Sequence, residues 1–231
     1  MSAPDPRDPW WVPAPLEGPS VPLHAALCLR PGGTQIEEEV AAAVLGAGRR
    51  LADAGWEVEE LEDTPPLHEA DEVTFNLWFG DGFAGQADAA MHDGDPGALA
   101  VIAGVRAKAE ALPADVVVRS LVRRTTFMRE WLLFLAKYPV LLLPVSTELP
   151  FPDGLDLQGE GGFTRVWKAQ SILRAIAAMG LPGLAVSTKL VGSVPVGVQV
   201  VASHYREDLC LLAGKAIEAR GMPPSPIDPM T

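Results

Sequence analysis

Nucleophiles, bases and carboxylates are all present in this chain, but not at spacings that let them act together. His24, His68, His92 and His204 are scattered, with no H-E-x-x-H and no cysteine–histidine pattern, so the sequence offers no metal site. No G-x-S-x-G turn exposes a serine nucleophile, and no S-x-x-K pair supplies a lysine base. Ser187 and Lys189 lie two apart in a stretch of strand character and so share a face, but that spacing is no known activating pair. "GDGFAG" (80–85) matches G-x-G-x-x-G. A dinucleotide turn also needs a strand before it and an acidic residue about twenty positions on, and the second is missing here. "PGGT" (31–34) could hold an anion ahead of a helix, yet no phosphate loop follows. "DGD" (93–95) lacks the closing glutamate of a calcium loop. Nothing calls for a cofactor.

The elements that would position a site are easier to read. Residues 1–22 hold Pro4, Pro6, Pro9, Pro13, Pro15, Pro19 and Pro22, which forbid helix and central strand and leave an extended arm. "LHAALCL" (23–29) has the near-continuous apolar character of a strand covered on both faces. Thr34 and Glu37 form a T-x-x-E box ahead of a helix with Ile36, Val40, Val44, Ala47 and Leu51 at helical spacing. Gly55 closes it, and "WEVEEL" (56–61) is the next strand, making a parallel crossover unit. Residues 64–112 give no clear period. Pro113 opens a long helix whose core face is expected to carry Val118, Leu121, Thr125, Met128, Leu132 and Leu135.

"YPVLLLPV" (138–145) follows as a buried strand, then a proline- and glycine-rich loop over 146–162. A single helix is expected over 163–179, with Val166, Ala169, Leu173 and Ile176 inward and Gly180 as its cap. "LAVST" and "VGVQVVA" pair as a hairpin over 184–202, and a last helix carries Leu209, Leu212, Ala213, Ala216 and Ile217. The tail "MPPSPIDPMT" cannot be helix.

Composition bounds the class. With 231 residues and 48% hydrophobic content the chain can bury a sizeable core. Its net charge of −12 argues against nucleic-acid and anionic-membrane partners, since both demand a basic face. Cys28 and Cys210 sit in apolar runs and are read as small buried hydrophobes rather than a disulfide. No secretory leader and no run of membrane-spanning length is visible, so a cytoplasmic protein is expected.

"GLPGLAVS…GSVPVGVQVVASHYREDLCLLAGKAIE" resembles the C-terminal segment of amidase signature enzymes. There a G-L-P-A-L-S-V-P strand and a glycine turn lead to G-L-P-V-G-V-Q-L and a closing helix. Gly180, Leu181, Pro182, Pro195, Val196, Gly197, Val198 and Gln199 match in order, with Thr188 and Val194 as departures. "YPVLLLPVSTELPFP" resembles the family's Y-D-V-L-L-T-P strand, with Pro139 in place of aspartate, and "DPRDPWWVPAPLEGP" resembles its D-x-x-D-P segment.

The resemblance implies an α/β fold, a mixed sheet flanked by helices, forming the C-terminal half of the amidase fold over 23–231 behind the arm at 1–22. The family's nucleophilic serine, second serine and lysine base lie in a Gly/Ser-rich N-terminal half, and this chain has no G-G-S-S-G-G stretch. No catalytic residue is therefore assigned. Thr147, Phe151, Phe163 and Trp167 are expected to wall a substrate pocket for a small-molecule amide, and Gln199 to be structural. The expected partner is the N-terminal half of an amidase, or a second copy, with Trp10 and Trp11 of the arm lying on that half and loose without it. The alternative is a non-catalytic fragment or a binding or regulatory module derived from an amidase.

Overall fold

The computed structural model describes residues 4–221. The apolar run at 23–29 forms strand β1 (His24–Cys28), whose Ala25, Ala26, Leu27 and Cys28 are all buried. Helix α1 (Glu38–Asp53) buries Val40, Val44, Ala47 and Leu51 as their spacing predicts. Gly48 faces Leu27 so closely that a Cβ there would lie 2.6 Å from its Cδ1, which lets the helix settle onto the sheet. The predicted capping box does not form. The Thr34 hydroxyl donates to the Pro31 carbonyl of a short 3-10 turn (2.8 Å), and Glu37 accepts from the Leu149 N–H (2.9 Å) instead of closing back on its own helix. Strand β2 (Glu57–Leu61) then pairs parallel with β1.

The region without a legible period is three helices: α2 (His68–Phe79), α3 (Phe83–Asp93) and α4 (Pro96–Glu110). "GDGFAG" therefore follows a helix, not a strand, and joins α2 to α3. "DGD" is a cap-to-cap junction. Gly94 takes φ 68 to end α3, and the Asp95 carboxylate accepts the Ala98 N–H (2.7 Å) to start α4.

Helix α5 (Val116–Lys137) has the expected length but a rotated inner face. Val116, Ser120, Phe127, Trp131 and Leu135 are buried, whereas Val118 is 67% and Leu121 49% exposed and Thr125 is exposed too. The bulkiest aromatic, Trp131, sets the rotation: it is fully buried, and its indole N–H donates to the Pro66 carbonyl (3.2 Å). Strand β3 (Val140–Pro144) is buried throughout and pairs parallel with β1.

The single helix expected over 163–179 is two, α6 (Gly159–Ala169) and α7 (Ser171–Ala178). The break has a visible cause. The Ala169 carbonyl turns outward to accept the Thr147 N–H (3.0 Å) and is lost to the helix ladder. The inner face of α7 consequently carries Ile172, Ala175 and Ile176, while Leu173 is exposed. The expected loop at 146–162 is shortened by a 3-10 turn at Leu155–Leu157 and by the early start of α6.

Strands β4 (Gly183–Val191) and β5 (Val194–Ala202) form the predicted antiparallel hairpin, and α8 (Glu207–Glu218) follows. β5 pairs antiparallel with β3, giving the mixed order β2-β1-β3-β5-β4. β1, β3 and most of β5 are the buried centre, and β4 is an edge strand with partly exposed residues.

Two helical layers cover the sheet. α1 and α8 pack Val44, Leu51, Leu209 and Ile217 on Leu27, Leu142, Val198 and Val200. α2, α5 and α7 pack Val73, Trp131 and Ile176 on Ala26, Leu141, Leu143 and Val201. Both cysteines are buried and unpaired. Burial pushes the Cys28 thiol up to about 11 and the Cys210 thiol to about 12, as suits small core hydrophobes. Among the described residues no helix is long and apolar enough to cross a membrane.

The arm is only partly as expected. Residues near its end lie on this chain: the Gly18 N–H donates to Asp208 Oδ2 (3.0 Å), and Val21 packs against the α1–α8 layer. Their anchorage corrects the picture of an arm loose along its whole length. Trp10 stays 86% exposed. The tail "MPPSPIDPMT" lies outside the described residues.

Candidate functional site

The sheet topology itself points to a site. β1 and β3 are adjacent and parallel, but their chains depart to opposite faces, β1 to α1 and β3 to α6 and α7. Such a divergence opens a crevice beyond the carboxyl ends of the strands, where ligands of α/β proteins bind. A cleft of about 1490 Å³ occupies that place. Its walls are the turn after β1 (Gly32 to Glu37), the loop after β3 (Thr147, Glu148), the start of α2, Lys108 of α4, and α6–α7 from Glu160 to Arg174.

At its floor Arg174 forms a two-pronged ion pair with Asp71. Nε meets Oδ1 at 2.8 Å and Nη2 meets Oδ2 at 2.9 Å, with the arginine side chain 8% exposed. Its third prong, Nη1, donates to the Trp167 carbonyl, and the guanidinium lies 4.2 Å from the Trp167 ring centroid. Burial raises the Asp71 pKa above its ordinary value. The hydrogen bonds and charge of Arg174 oppose that shift without cancelling it. The ion pair ties α2 to α7 across 103 residues of sequence and locks the α6–α7 break.

Trp167 lines the cleft and is backed by an aromatic cluster. Phe163 stacks on Trp167 with centroids 5.6 Å apart and planes 26° apart, while Phe75 and Trp78 meet Trp167 edge-on. Lys108 holds its ammonium 4.0 Å from the Phe75 centroid and has no carboxylate partner among the described residues. Cation–π attraction of this kind contributes about 0.5–2 kcal/mol depending on exposure.

The four residues expected to line a pocket are not gathered in one place. Thr147 and Trp167 both line the large cleft. Phe163 is 7% exposed and packs with Phe75, Phe79, Val105 and Ala109, where Gly104 leaves room for its ring. Phe151 lines a second, more apolar cleft of about 520 Å³ together with Val40, Val145, Ala185 and Val196. The two clefts meet at the loop after β3, since Glu148 borders both. Arg174, Asp71 and Lys108 carried no signal in the sequence. Each is an ordinary helix-surface residue until α2, α4 and α7 are packed together.

The large cleft can bind and orient, but its own hydroxyls are not activated. Among the described residues the sole contact between a cleft hydroxyl and a basic side chain is Thr34 with His68 Nε2 (3.2 Å). The Thr34 proton is already committed to Pro31, and the same imidazole nitrogen lies 3.2 Å from the Gly32 carbonyl. Nε2 therefore serves as a donor there, not as a base. No group of three metal-ligating side chains occurs among the described residues.

A mixed α/β sheet with a cleft at its divergence point, walled by the loop after β3, is the class the geometry defines. The chain belongs to the amidase family: the family described as Amidase matches residues 1–211. It is 34% identical over 223 residues to an indoleacetamide hydrolase of Bradyrhizobium diazoefficiens, covering 95% of this chain and 42% of the relative. An indoleacetamide hydrolase of Bradyrhizobium japonicum is 32% identical over 223 residues, with 95% and 48% covered. The chain thus spans a little under half the length of these curated relatives.

Among solved structures it resembles 6-aminohexanoate cyclic dimer hydrolase bound to substrate (TM-score 0.65, 19% identity, 94% of this chain and 50% of that one). It likewise resembles a glutamyl-tRNA(Gln) amidotransferase subunit from Thermotoga maritima (TM-score 0.61, 20% identity, 87% and 42%). At those identities the likeness establishes the fold.

Proposed function

We propose that this chain is the C-terminal half of an amidase, supplying the sheet core and one wall of the substrate pocket for hydrolysis of a carbon–nitrogen amide bond. The observation that carries the reading is the cleft beyond β1 and β3. It is lined by Trp167 and by charged side chains suited to holding a substrate, yet none of its hydroxyls is activated for acyl transfer. The nucleophile and its base would come from the signature-bearing half of the enzyme. The amidotransferase neighbour is itself one subunit of its enzyme, which supports a role for this fold within assemblies. The aromatic cluster around Trp167 supports an amide with an aromatic acyl group, in keeping with the names of the curated relatives. Thr147, Trp167 and Phe151 line the pocket in this reading, and Phe163 backs Trp167.

The test is an amidase assay on aryl and aliphatic amides, with the purified chain alone and co-expressed with the part of the Bradyrhizobium diazoefficiens hydrolase that it does not match. The chain alone should equal buffer, and the pair should turn over an arylacetamide. Turnover by the chain alone, abolished by one serine substitution within it, would overturn the reading.

A further inference from the structure

The polar side chains deep in the large cleft are of two kinds. Asp71 and Arg174 are spent on each other and on the Trp167 carbonyl. Thr147 and Ser171 are not spent. Each is 8% exposed, and both line the cleft. Among the described residues neither hydroxyl has a hydrogen-bond partner, and neither is sealed off. The buried side-chain atoms that lack a partner are Trp11 Nε1, His24 Nε2, Arg50 Nη1, Ser187 Oγ and Gln199 Oε1. The little surface that Thr147 and Ser171 keep therefore includes their oxygens, and it opens to the cleft.

The two hydroxyls are held in place before any ligand arrives. The Thr147 N–H donates to the Ala169 carbonyl (3.0 Å), and the Thr147 carbonyl accepts the Glu37 N–H (2.9 Å). Ser171 opens α7 two residues past Ala169, so the bond that breaks α6 from α7 also ties Thr147 to the segment that carries Ser171. Little side-chain freedom is left to lose on binding, which favours selective contacts. Charge narrows the ligand group. With Asp71 and Arg174 paired, a charged group lodged beside them would find no counter-charge. Lys108, Glu72 and Glu160 also line the cleft, but as exposed, solvated side chains. A hydroxyl oxygen has two lone pairs for its one proton, so two hydroxyls accept more readily than they donate. The group they fit is a neutral N–H or O–H.

We propose that Thr147 and Ser171 determine specificity by accepting a hydrogen bond from an N–H or O–H on the aromatic ring of the acyl group. The proposal rests on the reading of this cleft as the pocket of an aromatic amide, and adds which ring the pocket selects. Trp167 lies on the same segment, four residues before Ser171, and lines the same cleft. A ring set against Trp167 thus brings its edge toward the two hydroxyls. A ring without a donor leaves both of them unpaired in a largely buried place, and sites of that kind discriminate strongly.

The probes are indole-3-acetamide, whose ring carries an N–H, and 1-benzothiophene-3-acetamide, of the same shape with sulfur in that place. Isothermal titration reads the binding of each to the full chain as wild type, Thr147→Val, Thr147→Ser and Ser171→Ala. Wild type should hold the indole roughly tenfold tighter than the benzothiophene, the effect of one hydrogen bond in a buried site. Thr147→Val and Ser171→Ala should each remove most of that preference by weakening the indole alone, whereas Thr147→Ser keeps the hydroxyl and should keep the preference. Equal affinity of wild type for the two probes, or no binding of either, would overturn the proposal. Variants that weaken both probes alike would show a purely structural role and would overturn it too. The same probes are then given to the chain co-expressed with the unmatched part of the Bradyrhizobium diazoefficiens hydrolase. Turnover of both at equal rates would refute the selection and leave the amidase reading intact. Selective binding without turnover would refute the amidase reading and leave Thr147 and Ser171 as a site for a ring donor.

Discussion

At the scale of single residues, Asp71 shows two opposed forces on one carboxylate. Its partner Arg174 satisfies both oxygens, yet burial is the larger effect and raises the pKa above the ordinary 3.8. An acid whose folded pKa is raised favours folding most when protonated. Its contribution is therefore fully present below 3.8 and is lost as pH rises through the higher folded value. Asp71→Asn removes that titration. The stability of wild type minus variant, from urea midpoints across a pH series, should fall as pH rises from 3.8 and level off above. A difference that grows with pH would show that the ion pair outweighs burial. Co-variation of the same step with ligand affinity is also expected, because Arg174 holds the Trp167 carbonyl and covers its ring.

At the scale of elements, apolar spacing located what was simple and failed where one helix has two apolar faces. On α5 the expected face of Val118, Leu121, Thr125, Met128, Leu132 and Leu135 holds only toward its end, where Leu135 is buried and Met128 and Leu132 pack against the core; Phe127 and Trp131 carry more apolar area and turn the rest of the face outward. Val118→Ser or Leu121→Ser should change folding free energy by no more than about 0.5 kcal/mol, as for surface sites. Trp131→Ala should cost about 3–5 kcal/mol by leaving a cavity and an unpaired Pro66 carbonyl. Urea denaturation of the three variants distinguishes the outward face from the core. β1, α1, β3 and the hairpin were legible because each has a single period or an unbroken apolar run. The three helices over 68–110 were not, since Phe75, Phe79 and Trp78 point into neighbours far along the chain and erase the period. The break between α6 and α7 is also a tertiary event, made by the Thr147 N–H. The site was half legible: Thr147 and Trp167 reach the large cleft, but Asp71, Arg174 and Lys108 meet only after the packing of α2, α4 and α7.

At the scale of the whole molecule, covered and uncovered surfaces decide how the chain behaves in solution. Its sheet is fully layered over β1, β3 and most of β5, and open where β4 ends it. An edge of nine residues with one charge is a template for pairing, so the isolated chain should self-associate as its concentration rises. Ala185 is exposed on the face of β4 away from the α1–α8 layer, where it borders the Phe151 cleft, and a lysine there needs no core rearrangement. Ala185→Lys should leave the melt of the isolated chain within a few degrees of wild type, since exposed substitutions alter stability by about 0.5 kcal/mol or less. It should shift light scattering toward monomer, because a buried unpaired charge costs several kcal/mol in a paired edge. A variant that self-associates as wild type does would mean that this edge is not the surface through which copies pair.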